Sequence, residues 1–242
     1  MFGRLIIVEE AESTQDLAWE MALRGEPEGT AVMALRQTRG RGRAGRSWIS
    51  PDGKNLALSL LVRPRVRPQE APLLGFIAAV AVAEALELSG VERAQLKWPN
   101  DVLVKRKKIA GILSEASIKG STIEFAVIGI GLNVNADLTD FPSELQDSLT
   151  SLVLSTGSPC DLATVAKLFL ERFGILYNRT SAEGFGFVRA LWESRWANKG
   201  ERVRWQGITG VAEGVLDDGS LLLRTDYGSI RHVTAGDVEP AP

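Results

Sequence analysis

Residues 36–48 read RQTRGRGRAGRSW, with Arg36, Arg39, Arg41, Arg43 and Arg46 interleaved with Gly40, Gly42 and Gly45. Glycine lets the backbone take positive φ and come close to a ligand. Arginine supplies planar forks of donors that match phosphates and carboxylates. Such a stretch cannot bury a core of its own. It is expected to be a mobile basic loop that closes over an anion and is ordered by it. Strand-like runs flank it at residues 30–35 (TAVMAL) and 55–62 (NLALSLLV). A glycine- and arginine-rich connection inside a domain is more often a site than a tail.

Upstream, residues 5–8 (LIIV) read as a strand, and Leu17, Ala18, Met21 and Ala22 have helical spacing over 16–24. Ser13 or Thr14 is the expected N-cap, and the free N–H groups of a helix start can also face a ligand carbonyl or anion. Residues 25–29 (GEPEG) form a turn. Downstream, Ser50-Pro51-Asp52-Gly53 closes the basic loop with turn chemistry. Residues 63–68 (RPRVRP) are a proline-spaced connector, and 71–88 are apolar on every face, which predicts a buried helix packed on a sheet.

In residues 95–101 (QLKWPND), Pro99 restricts Trp98 to extended geometry. Strands at 102–104 and 109–113 (IAGIL) are expected to form a hairpin about a basic turn at 105–108 (KRKK), with Gly111 marking close approach by another group. Residues 122–135 read as one long strand. Gly129-Ile130-Gly131 lacks the third glycine of a dinucleotide fingerprint, and no GxxxxGK[ST] motif occurs. Residues 137–158 are polar and turn-rich; helices are expected at 162–177 and 185–196. After a boundary at Asn198-Lys199-Gly200 come short strands at 202–205, 209–216, 220–225 and 229–233, joined by tight hairpin links. That pattern suggests a small SH3-like barrel.

The chain has 242 residues, 45% hydrophobic and 24% charged, enough for one good core and a small second domain. The net charge of -2 gives no global basic field, so the loop is a local device and a generic nucleic-acid binder is disfavoured. Cys160 is the only cysteine and His232 the only histidine. That excludes an intramolecular disulfide and a His/Cys zinc site within the chain, and disfavours Cys–His or Ser–His catalysis. The start lacks a signal-peptide pattern, and no apolar stretch approaches membrane-spanning length, so the expectation is a cytoplasmic protein without a membrane partner.

Five stretches, in order, resemble the biotin protein ligases: Ser13-Thr14-Gln15, the loop from Gly40 to Arg46, Lys97-Trp98-Pro99-Asn100-Asp101, Lys108 with the following IAGIL, and Gly129-Ile130-Gly131-Leu132-Asn133. Each is weak alone; their order and spacing make the signal specific. The resemblance covers the body of the chain to about residue 196, and the terminal barrel also fits. It implies an α/β (α+β) fold: a mixed sheet flanked by helices, like class II aminoacyl-tRNA synthetases, with a C-terminal SH3-like β-barrel. The expected division is a catalytic domain at 1–197 and a small domain at 198–242. Because the first strand begins almost at once, the chain resembles the catalytic-only type without an amino-terminal DNA-binding module, so DNA is not an expected partner.

The resemblance implies biotin and ATP as substrates, Mg²⁺ as cofactor, biotinyl-5′-AMP as intermediate and a lysine of a biotin carboxyl carrier protein as acceptor. It also implies a homodimer paired through sheet edges. By the same match, Ser13, Thr14, Gln15 and Gln37 should hold the ureido end of biotin. Gln15 stands where some relatives have asparagine. Arg41, Gly42 and Arg43 should cover the biotin chain and the adenylate, with Arg43 retaining the reactive intermediate. Arg46, Trp48, Lys97, Asn100 and Asn133 are assigned to ATP, with Trp48 a wall or stacking face for adenine. Lys108 should reach the biotin carboxylate and the α-phosphate, and Asp101 should orient cations or assist the acceptor amine. Asn133 should help hold phosphate or Mg²⁺, and no residue is assigned as a direct metal ligand.

Joining a carboxylate to a phosphate requires cations that neutralise the developing charge, and the sequence supplies cations but no nucleophile. The rival readings are a lipoate protein ligase and a non-enzymatic RNA-binding module.

Overall fold

In the computed structural model, which describes residues 2–51 and 53–241, the chain opens with a β–α–β unit. β1 (Arg4–Ala11) and β2 (Thr30–Gln37) lie parallel, joined by α1 (Thr14–Leu23). Ser13 caps α1, its hydroxyl accepting from the Gln15 N–H at 3.2 Å. β3 (Leu56–Val62) pairs antiparallel with β2. After α2 (Pro72–Leu88) come β4 (Gln95–Lys97), β5 (Asp101–Val104), β6 (Lys107–Lys119) and β7 (Thr122–Leu132). Together they make a seven-stranded sheet in the order β1-β2-β3-β7-β6-β5-β4, parallel only between β1 and β2. The expected mixed sheet is therefore present.

Strand side chains alternate between faces, so the pairing register sorts this sheet into an apolar side and a site side. Leu56, Leu58 and Leu60 of β3 and Ile128, Ile130 and Leu132 of β7 face the main core. That core is roofed by α2 and by α4 (Leu162–Glu183), which follows the short α3 (Leu152–Thr156); α5 (Gly186–Ser194) packs beside them. On the opposite face, Leu61 and Val127 pack under Ala18 and Ala22 of α1. Both faces of β3 are covered, which is why all its residues are buried.

Three expectations change. First, residues 68–88 are long and apolar enough to cross a membrane by composition, with a mean hydropathy of 1.8, contrary to the reading that no stretch comes close. Packing explains the composition: α2 is a core helix wedged between the sheet and two other helices. Second, the basic turn is only Lys105-Arg106, both at positive φ, while Lys107 and Lys108 belong to β6. β6 runs on to Lys119 because β7 offers it a partner along that length. Third, the turn-rich 137–158 stretch contains α3. Asp52 of the expected 50–53 turn lies outside the described residues.

Beyond α5 the chain forms a second, antiparallel sheet. It comprises β8 (Arg202–Trp205), β9 (Ile208–Val215), β10 (Leu221–Thr225), β11 (Ile230–Val233) and β12 (Glu239–Pro240). Its inward Val203, Ala212, Leu221 and Leu223 join the same buried cluster as α2. The Trp98 indole N–H donates to the Gly219 carbonyl at 3.0 Å, and Gly219 at φ +82° sits against Phe76. Trp98 precedes Pro99 across a cis peptide.

Candidate active site

The floor of the site is a consequence of register. On the face opposite the main core, Ala57 pairs with Gly131, Gly131 with Gly111, and Gly111 with Asp101. The next row on that face joins Ser59, Gly129 and Leu113, and the next joins Leu61, Val127 and Glu115. The small residues leave a trough across β3, β7 and β6, bounded at one end by the start of α1.

Two positions in this floor, Gly129 and Gly131, need glycine for space. A Cβ on Gly131 would stand 2.2 Å from the Trp48 ring, and one on Gly129 would stand 2.6 Å from Gln15 Oε1. Trp48 therefore lies flat in the trough, with Lys108 Nζ 5.6 Å from the ring centroid. Its indole nitrogen is buried and has no hydrogen-bond partner among the described residues. Trp48 divides two cavities: a small one of about 120 Å³ toward α1 and a larger one of about 530 Å³ toward β5 and residues 141–149. Arg46, Ser47, Trp48 and Lys108 line both.

The small cavity ends in an uncharged polar wall. Ser13, Thr14, Gln15 and Ser59 are each at most 4% exposed. Gln15 Nε2 donates to Glu115 Oε2 at 3.0 Å and to the Val127 carbonyl at 3.1 Å, which fixes the direction of its amide. The Thr14 backbone N–H donates to Gln37 Oε1 at 2.7 Å, which fixes that amide too. Between the two lies a chain of oxygens: Gln15 Oε1, Ser59 Oγ, Thr14 Oγ1 and Gln37 Oε1, spaced 3.1, 2.9 and 3.0 Å apart. Each hydroxyl carries one proton and the amide oxygens carry none. Three contacts share two protons, so this wall is short of donors. A ligand that brings N–H groups relieves the shortage; a purely apolar ring does not, and an unmet buried polar group costs about 1–3 kcal/mol.

The larger cavity is cationic. Lys97, Arg106, Lys108 and Arg46 line it, and Asp101 is its one carboxylate among the described residues. A β-bulge between Val102 and Leu103 shifts the β5–β6 register, and Lys108 Nζ meets Asp101 Oδ1 at 2.7 Å. Asn133 also lines this cavity but is buried, accepting from Asn55 Nδ2 and donating to the Thr150 carbonyl. It braces the corner where β7 ends. Arg106 of the basic turn pairs through both guanidinium nitrogens with Glu201 before β8. That pairing holds Arg106 above its ordinary range and Glu201 below its own.

The basic loop has a defined backbone. Arg41 and Ser47 form an antiparallel bridge, Trp48 N–H donates to the Gly40 carbonyl at 2.9 Å and Gly42 N–H to the Arg46 carbonyl at 2.7 Å. The tip turns through Ala44 and Gly45, both at positive φ. Its arginines meet carboxylates: Arg39 pairs with Glu12, Arg41 with Asp16 and Glu115, and Arg46 with Asp237 at 2.7 Å. Arg43 donates to Asn100 Oδ1 at 3.1 Å and lies 3.6 Å from Asp237. Outside the loop lies an open cleft of about 1120 Å³ toward α2 and the second sheet.

Thus Ser13, Thr14, Gln15, Gln37, Arg41, Gly42, Arg43 and Lys108 come together at the small cavity, with Asn100 beside Arg43. Arg46, Trp48, Lys97, Asp101 and Asn133 gather at the larger one. Three contributors escaped the sequence reading. Ser59 had a signal, a hydroxyl in an otherwise apolar strand. Glu115 had a weak one, following the IAGIL run. Asp237 had none, because the second sheet brings it to the loop from the far end of the chain.

The profile of the Biotin/lipoate A/B protein ligase family matches residues 8–133, and that of the biotin protein ligase C-terminal domain matches residues 200–239. The chain belongs to this family. It is 39% identical over 99% of its length to the bifunctional ligase/repressor BirA of Bacillus subtilis, covering 74% of that protein. It is 35% identical over 81% of its length to the biotin–[acetyl-CoA-carboxylase] ligase of Paracoccus denitrificans, covering 85% of it. A solved structure of the biotin protein ligase from Aquifex aeolicus in complex with biotin and ATP superimposes with a TM-score of 0.83, at 33% identity and 98% coverage of both chains. Within the family the chain stands on the biotin protein ligase branch, an enzyme rather than a binding module.

Proposed function

We propose that the chain activates biotin with ATP and passes the biotinyl group to a lysine of a biotin carboxyl carrier domain. The observation that carries this is Lys108, whose ammonium stands where the cavity that ends in the uncharged polar wall meets the larger cationic one. The donor-poor wall of Thr14, Gln15, Ser59 and Gln37 suits a ureido ring with two N–H groups. The valerate chain then runs under Arg41, Gly42 and Arg43 and brings its carboxylate to Lys108.

With the nucleotide in the larger cavity, a carboxylate oxygen attacks the α-phosphorus and the bond to the β-phosphate oxygen breaks. Pyrophosphate leaves and biotinyl-5′-AMP remains. Lys108, Arg43 and Arg46 offset charge that builds on the bridging and non-bridging oxygens, by position rather than by covalent chemistry. Arg43 and the loop keep water from the acyl phosphate. The acceptor amine then attacks the acyl carbon, AMP leaves and the amine loses a proton; Asp101 orients Lys108 throughout.

Magnesium suits this donor set, because it is commonly held by one or two carboxylates together with substrate phosphates and waters. Asp101, the one carboxylate lining the larger cavity among the described residues, would hold it through the oxygen that Lys108 does not use, and when bound it would neutralise phosphate charge.

Lipoate is the weaker reading: a dithiolane ring has no N–H to give, so the oxygen chain would stay short of protons. The test is exchange of labelled pyrophosphate into ATP. Exchange that depends on biotin and not on lipoate is expected; exchange driven by lipoate alone would overturn the reading.

A further inference from the structure

We infer that Glu115 is a specificity-determining positioning residue, fixing which end of the Gln15 amide faces the ring and tying that choice to the loop. The inference rests on the biotin reading above and goes beyond it to a residue outside the five stretches that carry the resemblance.

Glu115 lies on β6 opposite Val127, one row beyond the glycine trough. One of its oxygens accepts from Gln15 Nε2 at 3.0 Å and the other from Arg41 of the loop. Both partners are donors only at these contacts, so the bridging group must accept on both oxygens. A carboxylate does this; a carboxamide of the same shape does not, because one of its ends is a donor.

With Glu115 in place, the Gln15 NH₂ is held by two acceptors, Glu115 and the Val127 carbonyl. Its oxygen is thereby turned toward Ser59 and into the space left by Gly129. The shortage of protons in the wall follows from that orientation, and so does the demand for a ligand with N–H donors. Gln15 matters here because its arm is one methylene longer than asparagine.

The experiment uses the whole 242-residue chain and pyrophosphate exchange with two acids: biotin, and an analogue in which one ureido N–H is replaced by a ring oxygen. Wild type should strongly prefer biotin. In Glu115→Gln the KM for biotin should rise up to about tenfold, the scale of one hydrogen bond, with kcat within about twofold. Preference over the analogue should narrow by a similar factor, since the Gln15 amide is free to turn.

Two controls separate this from a general loosening. Asp16→Asn weakens the other tie on Arg41 without touching Gln15, and should keep the wild-type preference. In a Gln15→Asn background, adding Glu115→Gln should change the preference no further. An unchanged preference in Glu115→Gln, an equal change for both acids, or narrowing by Asp16→Asn would overturn the inference. Absence of biotin-dependent exchange in the wild-type protein would instead overturn the functional reading, and the inference with it.

Discussion

Lys108 Nζ lies 2.7 Å from Asp101 Oδ1 across the β5–β6 hairpin, at the seam of the two cavities. Both side chains are partly open to solvent, at 31% and 22%, so the pair adds at most about 1 kcal/mol to stability. Lys108→Ala should therefore melt within a few degrees of wild type. Its pyrophosphate exchange should fall by about 10²–10³ or more, the scale of removing one preorganised donor. Normal exchange by this variant would end the assignment.

Arg43 is anchored by Asn100 and faces Asp237, so its guanidinium covers the mouth of the small cavity. Arg43→Gly should still form adenylate but release it. Mass spectrometry of a bystander protein in the reaction should then find many biotinylated lysines. Labelling confined to the carrier lysine would show that Arg43 does not retain the intermediate.

Gly131 makes room for Trp48. Gly131→Ala places a Cβ inside the indole, so the ring must leave the trough or the strands must shift. Overpacking of this kind costs about 1–3 kcal/mol. Calorimetry should show weakened ATP binding as well as a lower Tm. ATP binding equal to wild type would mean that the Trp48 seat is not part of the nucleotide site.

Tyr177 sits where burial, reinforced by the neighbouring carboxylate of Glu28, raises its phenol well above the usual value of 10. The folded state thus favours the neutral phenol. That stability is complete below pH 10 and declines as pH rises past the point where the unfolded chain ionises. Tyr177→Phe should flatten the alkaline arm of a stability–pH curve measured by urea denaturation. An equally steep arm in the variant would assign the alkaline loss to other groups.

Much of the fold was legible because its signals are local. Ser13 before the Leu17 and Ala18 spacing announced α1, and the apolar runs through Ser59 and Gly129 announced β3 and β7. The boundaries that moved did so for tertiary reasons: β6 gains its length from β7, and Lys107 and Lys108 join a strand because they pair with Val104 and Leu103 of β5. The motif residues converged on the cavities. What linked them was hidden, since Glu115 and Asp237 act through pairings across 74 residues and across the two sheets. A pattern read along the chain carries no record of those distances.

The loop arginines bring their own counter-ions. Arg36 meets Glu10, Arg39 meets Glu12, Arg41 meets Asp16 and Glu115, and Arg46 meets Asp237. Seen from more than a Debye length, about 8 Å at physiological salt, such pairs are little more than dipoles. The segment therefore casts a weak far field despite its composition, and a long polyanion gains little by drifting toward it. Its cations open only to a compact anion that reaches the carboxylates and displaces them at contact.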